Sequence, residues 1–126
     1  MVVDTSAIVC IALAEQNARW VAAQLDGAKG ELKMSTVNLA EAIIVVDYRH
    51  PTAAAGLQTL LADTSIEFIA PTTQHAFIAA QARRRFPLNL GDCFAYALAV
   101  TENLPILTLD SDFRAVDVPA ILPLRE

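Results

Sequence analysis

Cysteine, histidine and lysine are scarce in this chain, and each scarcity narrows the chemistry open to it. Among 126 residues there are two cysteines and two histidines. Two thiols cannot by themselves close a zinc site, and without secretory features they give no disulfide framework. Cys10 and Cys93 both lie in apolar stretches and are expected to be ordinary buried thiols. His50 precedes Pro51 at a helix junction and His75 lies near a helix start, so both are expected at the surface, outside any catalytic role. Although 55% of the residues are hydrophobic, no uninterrupted apolar run reaches the length needed to span a bilayer. That excess is better matched to a core plus a partner surface. The formal charge of -5 argues against a general nucleic-acid coat held by phosphate neutralisation, while leaving room for an enzyme whose acids gather at a metal. Linker composition, internal repeats and low-complexity segments are missing, so a single domain over residues 1–126 is expected. No basic segment followed by an apolar one precedes the first strand, which makes the cytoplasm the expected location.

What is present is an alternation of strand and helix patterns. Met1 to Asp4 reads as a short buried strand, and Thr5 to Ala14 as a helix capped by Asp4, Thr5 or Ser6. Gln16 to Leu25 has helical spacing and ends at Asp26-Gly27. Glu31 to Ser35 is a strand. Thr36 to Tyr48 is a helix despite its β-branched Ile43 to Val46, because Asn38 to Ala42 leads into it with good helix formers. Pro51 suits a first turn, and Thr52 to Ala62 continues it with Leu57, Leu60 and Leu61 as an apolar stripe. Ile66 to Ala70 is a strand. Thr72 or Thr73 caps a helix that ends in Arg83-Arg84-Arg85, cations at the negative end of the macrodipole. Asp92 to Glu102 is apolar on nearly every face and is expected to be deeply buried. Ile106 to Leu109 is a strand, Asp110 to Asp117 an acidic turn, and Ala120 to Leu124 a last strand. Strands separated by helices describe a three-layer α/β/α sandwich around a central parallel β-sheet.

Fourteen acids are present, and most serve as solvated surface groups. Asp4, Glu41, Asp92 and Asp110 stand instead in apolar surroundings, where an unpaired charge costs several kcal/mol. Each has a bland use: Asp4 as a helix cap, Asp92 as a first-turn acid, Glu41 on an exposed stripe, and Asp110-Ser111-Asp112 as a turn. Their joint placement is the functional signal. Asp4 and Asp110 follow strands, while Glu41 and Asp92 fall near the starts of helices, and in a parallel sheet these positions share one edge. Two carboxylates about 5 Å apart repel by roughly 3 kcal/mol at an effective dielectric near 20, so four together call for a cation. Oxygen ligands without His or Cys select Mg²⁺ or Mn²⁺ over zinc.

Four segments carry a resemblance: Val2-Val3-Asp4-Thr5-Ser6-Ala7, Ser35 to Glu41, Leu90-Gly91-Asp92-Cys93 on to Ala99, and Leu107-Thr108-Leu109-Asp110-Ser111-Asp112-Phe113. In order and spacing they resemble the PIN-domain ribonucleases, specifically the VapC-like toxins of bacterial toxin-antitoxin pairs. The resemblance spans essentially the whole chain, and the Asp92 segment is its most distinctive part. It implies a parallel sheet of about five strands between helices, and Mg²⁺- or Mn²⁺-dependent endonucleolytic cleavage of RNA by a metal-activated water. The implied partners are an RNA substrate, a second copy of the chain and a cognate VapB-like antitoxin. By position, Asp4, Glu41, Asp92 and Asp110 are the implied catalytic acids, with Asp4, Asp92 and Asp110 on the metal and Asp112 in reserve for the fourth place. Thr5 and Ser6 take the place of the polar residue that orients the first acid or a metal water.

Cations for an RNA surface are expected at Arg114, which follows the acidic turn, and at Arg85 in the arginine triplet. The segment Arg83 to Asn89 is shorter than the corresponding loop in many relatives. Two other classes compete. A non-cleaving PIN-like or nucleic-acid binding module needs no intact acid set, yet all four acids are here. A phosphotransfer enzyme with Asp4 as nucleophile wants an Asp two residues later and a lysine at the sheet edge; Ser6 stands there instead, and Lys29 and Lys33 lie elsewhere in the chain.

Overall fold

Five short strands, all parallel, lie in the order β3-β2-β1-β4-β5 in a computed structural model that describes residues 1–124. They are β1 (Val2–Val3), β2 (Lys33–Ser35), β3 (Glu67–Ile69), β4 (Ile106–Leu107) and β5 (Ala120–Ile121). The helices are α1 (Thr5–Ala12), α2 (Ala18–Gly27), α3 (Thr36–Arg49), α4 (Ala54–Asp63), α5 (Thr73–Arg85) and α6 (Leu90–Glu102), with 3-10 turns at Pro51–Ala53 and Ser111–Ala115. In β1 and β4, Val2 is in register with Ile106 and Val3 with Leu107. Successive residues of a strand point to opposite faces, and the core divides accordingly. Val3 and Leu107 pack with α1 to α4, while Val2 and Ile106 pack with α6 and Phe113. The three-layer sandwich expected from the pattern is what forms.

Strand order places the chemistry. With β1 central and β4 beside it, the chain leaves both strands on the same edge, where α1 and α6 also begin. The Asp4 N–H donates to the Leu107 carbonyl at 3.0 Å, so the chain stays tied to β4 one residue beyond β1.

Several boundaries differ from the pattern-based ones, each for a local reason. α1 stops at Ala12, and Ala14 adopts a positive φ of 51° that turns the chain toward α2. The last strand is confined to Ala120–Ile121, because only those residues have a partner in β4. α6 starts at Leu90, two residues ahead of Asp92, because Asn89 caps it: the Asn89 side chain accepts the Asp92 N–H at 2.8 Å and Asp92 accepts the Asn89 N–H at 3.3 Å. This reciprocal box satisfies two otherwise orphaned donors. At its other end Asn103 takes the left-handed conformation that an Asn tolerates.

His75 corrects the expectation of a surface histidine. It is buried, forms a capping box with Thr72 at the start of α5, and its Nε2 lies 2.9 Å from the Thr101 hydroxyl of α6. His50 is exposed, and Cys10 and Cys93 are buried free thiols as expected.

Phe113 is the largest fully buried side chain, and it anchors the 3-10 turn behind Asp110 into the α6 side of the core. Phe113→Ala is expected to cost about 3–5 kcal/mol, read as a lowered urea midpoint with an unchanged slope.

Candidate active site

Asp4, Glu41, Asp92 and Asp110 line one cleft of 430 Å³ at the strand-exit edge. Asp4 lies deepest, 1% exposed. Its Oδ2 accepts hydrogen bonds from the hydroxyls of Ser6 and Thr108, each at 2.9 Å. Both hydroxyls are themselves oriented by backbone of the β4 exit: the Leu109 N–H donates to Ser6 Oγ at 2.9 Å and the Asp110 N–H to Thr108 Oγ1 at 3.0 Å. Asp4 Oδ1, equally buried, has no hydrogen-bond partner among the described residues. Burial holds this carboxyl above the usual carboxylate range, outweighing the hydroxyls that favour its charged form.

Glu41 sits one turn deeper in α3 than the opening turn in which it was expected. Its Oε1 accepts from Thr5 Oγ1 at 2.8 Å and from Asn38 Nδ2 at 3.3 Å. Asn38, completely buried, also donates to the Gly91 carbonyl at 3.0 Å and so joins α3 to the start of α6. Gly91 is required by this approach. A Cβ there would stand 2.0 Å from Glu41 Oε1. The two polar residues after Asp4 therefore divide their work, Ser6 holding Asp4 and Thr5 holding Glu41.

Asp92 is fixed by the α6 capping box and is pushed up to about 7, first by burial and then by the charge on Asp4. The Asn89 N–H opposes that shift, while Asp110 and Glu41 add to it. Asp110 is half-buried, and its Oδ1 accepts the Asp112 N–H at 2.9 Å. Of the two acids in that turn, Asp110 lines the cleft; Asp112 is exposed and does not. The carboxylates border a common space without converging on a point. Among the described residues, no three His, Cys, Asp or Glu side chains stand in a metal-chelating group.

Neither expected RNA-facing arginine reaches the cleft. Arg85 pairs with Asp117 at 2.8 Å and lies 4.7 Å over the Phe86 ring. Arg114 is exposed beside Phe113 and Val116 on another surface. The cleft's lining contains Arg49 instead, together with Glu15. Sequence reasoning passed over Asn38, Gly91 and Thr108, although each lies inside a segment that carried the resemblance. Arg49 had no local signal beyond ending a helix.

A parallel five-stranded sheet with carboxylates gathered at its strand exits defines a class of α/β nuclease-like domain, and comparison with known proteins gives the family. The profile described as "PIN domain" matches residues 1–119. The chain is 35% identical over 127 residues to Ribonuclease VapC36 of Mycobacterium tuberculosis, covering 94% of this chain and 91% of that one. It is likewise 35% identical over 132 residues to Ribonuclease VapC of Mycolicibacterium smegmatis, covering 96% and 99%. In fold it is similar to the sarcin-ricin loop cleaving toxin VapC20 of Mycobacterium tuberculosis, with a TM-score of 0.78 and 20% identity over 97% of this chain and 98% of that one. The toxin-antitoxin complex from Klebsiella pneumoniae gives a TM-score of 0.73 at 17% identity, with 92% of each chain covered. The chain belongs to the PIN-domain family, in its group of VapC ribonucleases, the toxins of toxin-antitoxin systems.

The raised Asp92 carboxyl has a consequence for stability. Its folded value of about 7 lies above the unfolded 3.8, so between these values the folded chain keeps a proton that the unfolded chain has released. Stability from this group is therefore fully present below the unfolded value and lost as pH rises through the folded one. In EDTA, Asp92→Asn is expected to melt with the wild type at about pH 4 and above it at about pH 8. Calorimetry at the two pH values checks this; an equal offset at both would contradict it.

Proposed function

We propose that this protein is a Mg²⁺- or Mn²⁺-dependent endoribonuclease that cuts RNA in the cleft bordered by Asp4, Glu41, Asp92 and Asp110. The observation that carries the reading is Asp4. One of its oxygens is buried without a hydrogen-bond donor, beside other acids that raise the cost of ionising Asp92. An orphaned carboxylate oxygen among like charges is stabilised by a cation. The donors fit a hard divalent ion, since the cleft lining contains carboxylates, hydroxyls and an amide but neither His nor Cys. Mg²⁺ keeps several waters and uses few direct protein ligands, which suits acids that border a space instead of enclosing a point.

In this reading Asp4, Asp92 and Asp110 hold the ion, directly or through waters. When bound, the ion supplies an acidified water and neutralises charge at the scissile phosphate. Ser6 and Thr108 occupy Asp4 Oδ2 and leave Oδ1 for the ion. Thr5 and Asn38 occupy Glu41 Oε1, which leaves Oε2 to accept a hydrogen bond from cleft water. A bound ion would favour the ionised form of Asp92, whose carboxyl is pushed up to about 7, so affinity for the ion is expected to rise with pH through that value.

The partners in this reading are RNA, a cognate VapB-like antitoxin and a second copy of the chain. Ile44 and Tyr48 on α3, 66% and 89% exposed, supply apolar surface of the kind that interfaces cover. No helix among the described residues is long and apolar enough to cross a membrane, in keeping with action in the cytoplasm.

Antitoxin-free protein incubated with structured RNA is expected to cleave it with Mg²⁺ or Mn²⁺ and to stop in EDTA. Asp4→Ala and Asp92→Ala are each expected to lose about a hundredfold or more in rate. Cleavage that survives chelation, or that survives in both variants, would overturn the metal-acid reading. RNA bound but left uncut would favour a binding module.

Gly91→Ala is a subtler check. The added methyl meets the end of a flexible carboxylate, so the chain is expected to keep its melting temperature. Cleavage is expected to fall as Glu41 is driven from Thr5, and rates measured beside thermal melts separate the two effects.

A further inference from the structure

The cleft does not end at the four acids. It continues between α1 and α3 over Val9 and Val45 to Glu15 and Arg49. Arg49 stands eight residues past Glu41 in α3, about 12 Å along the axis at about 1.5 Å per residue. Residues spaced by four fall on one side of a helix, so Glu41, Val45 and Arg49 make one wall. Thr5 and Val9, followed by Glu15 just past the end of α1, make the facing wall. Arg49 Nη1 lies 3.5 Å from Glu15 Oε2, and both side chains are about half exposed, at 56% and 45%. That contact is long for an arginine-carboxylate bond and exposed enough to add little stability. Among the described residues, Arg49 is the one cation in the cleft lining, beside five carboxylates.

We propose that Arg49 is the phosphate-binding residue of the substrate groove, gripping the RNA backbone about 12 Å from Glu41 and exchanging Glu15 for a phosphate when RNA enters. The proposal rests on the ribonuclease reading above. A guanidinium presents two parallel donors to a phosphate, and a phosphate whose charge it neutralises is a stronger partner than a solvated carboxylate at 3.5 Å. Two helical turns, with Val45 between, separate Arg49 from Glu41 in α3, so in this proposal Arg49 grips a phosphate beside the one cleaved and positions substrate without joining the bond-breaking step. Val9 and Val45 between the two ends give an apolar stretch for the intervening sugar or base. An acidic protein segment is the rival occupant. The four other acids in the same groove favour RNA carried in with divalent ions over a carboxylate-rich peptide.

Steady-state cleavage of an in vitro transcribed ribosomal RNA fragment in Mn²⁺, at several salt concentrations, tests this. For Arg49→Gln the expected result is a KM raised about tenfold with kcat within about twofold. The slope of log(kcat/KM) against log salt should become shallower by about 0.7, the value of one lost contact on a single strand. Arg49→Lys should recover part of the affinity, and Glu15→Gln should lower KM by freeing the arginine. Thermal melts of all three should match the wild type. Wild-type cleavage with KM and salt slope unchanged in Arg49→Gln overturns this proposal alone. If that variant instead loses only antitoxin binding, the groove belongs to the protein partner and the proposal also fails. Absence of wild-type cleavage overturns the ribonuclease reading and this proposal with it.

Discussion

The Asp4 carboxylate is the constraint on which the rest of the site depends. Two hydroxyls, from Ser6 at the start of α1 and Thr108 at the exit of β4, hold one of its oxygens, and the other is buried without a donor. The same hydroxyls accept backbone N–H groups of Leu109 and Asp110. The network thus joins the two central strand exits and sets where Asp110 stands. Burying a carboxyl group with one oxygen left without a donor is unfavourable by itself. The fold tolerates it because both walls of the network are backbone-anchored.

Like charge is accumulated around that centre in stages. Asp92 is placed by a helix cap that also serves α6, so its position follows from local structure even though its ionisation is disfavoured. Glu41 comes from the opposite side, on α3, and is steered by Thr5 of α1 and Asn38 of its own helix. Gly91 makes room for it on α6. Three helices and two strand exits therefore contribute to one cleft, and two of the acids lean on another element: Asp4 on Thr108 after β4, and Glu41 on Thr5 of α1. Such a site gathers like charge that raises the cost of ionising Asp92, a familiar exchange of stability for function.

Much of this was legible in the residue order. The alternation of strand and helix patterns implied a parallel three-layer fold, and the apolar settings of Asp4, Glu41, Asp92 and Asp110 marked them out before any geometry was known. Local rules failed where side chains answer to distant partners. His75 looked like a surface residue until its ring was found capping α5 and reaching Thr101 on α6. Asp92 reads as the first residue of its helix, yet the helix starts at Leu90 and Asn89 caps it, which makes Asp92 the second half of a box. Arg85 and Arg114, the cations expected at an RNA surface, lie outside the lining of the acidic cleft, Arg85 paired with Asp117 and Arg114 lining another surface depression. Arg49 enters the cleft only because α3 runs beside α1.

The sequence by itself determined the fold class and the identity of the acids, since hydrophobic period and charge in apolar context are properties of neighbours along the chain. It also carried enough in four segments to name a family. The tertiary structure alone decided which polar residue serves which acid: Ser6 and Thr108 for Asp4, Thr5 and Asn38 for Glu41. It also decided that Asp110 and not Asp112 borders the cleft, and that Gly91 must lack a side chain. The contacts of Thr108 with Asp4 and of Thr5 with Glu41 join residues 104 and 36 positions apart, fixed by strand order and helix packing, and no local pattern encodes them.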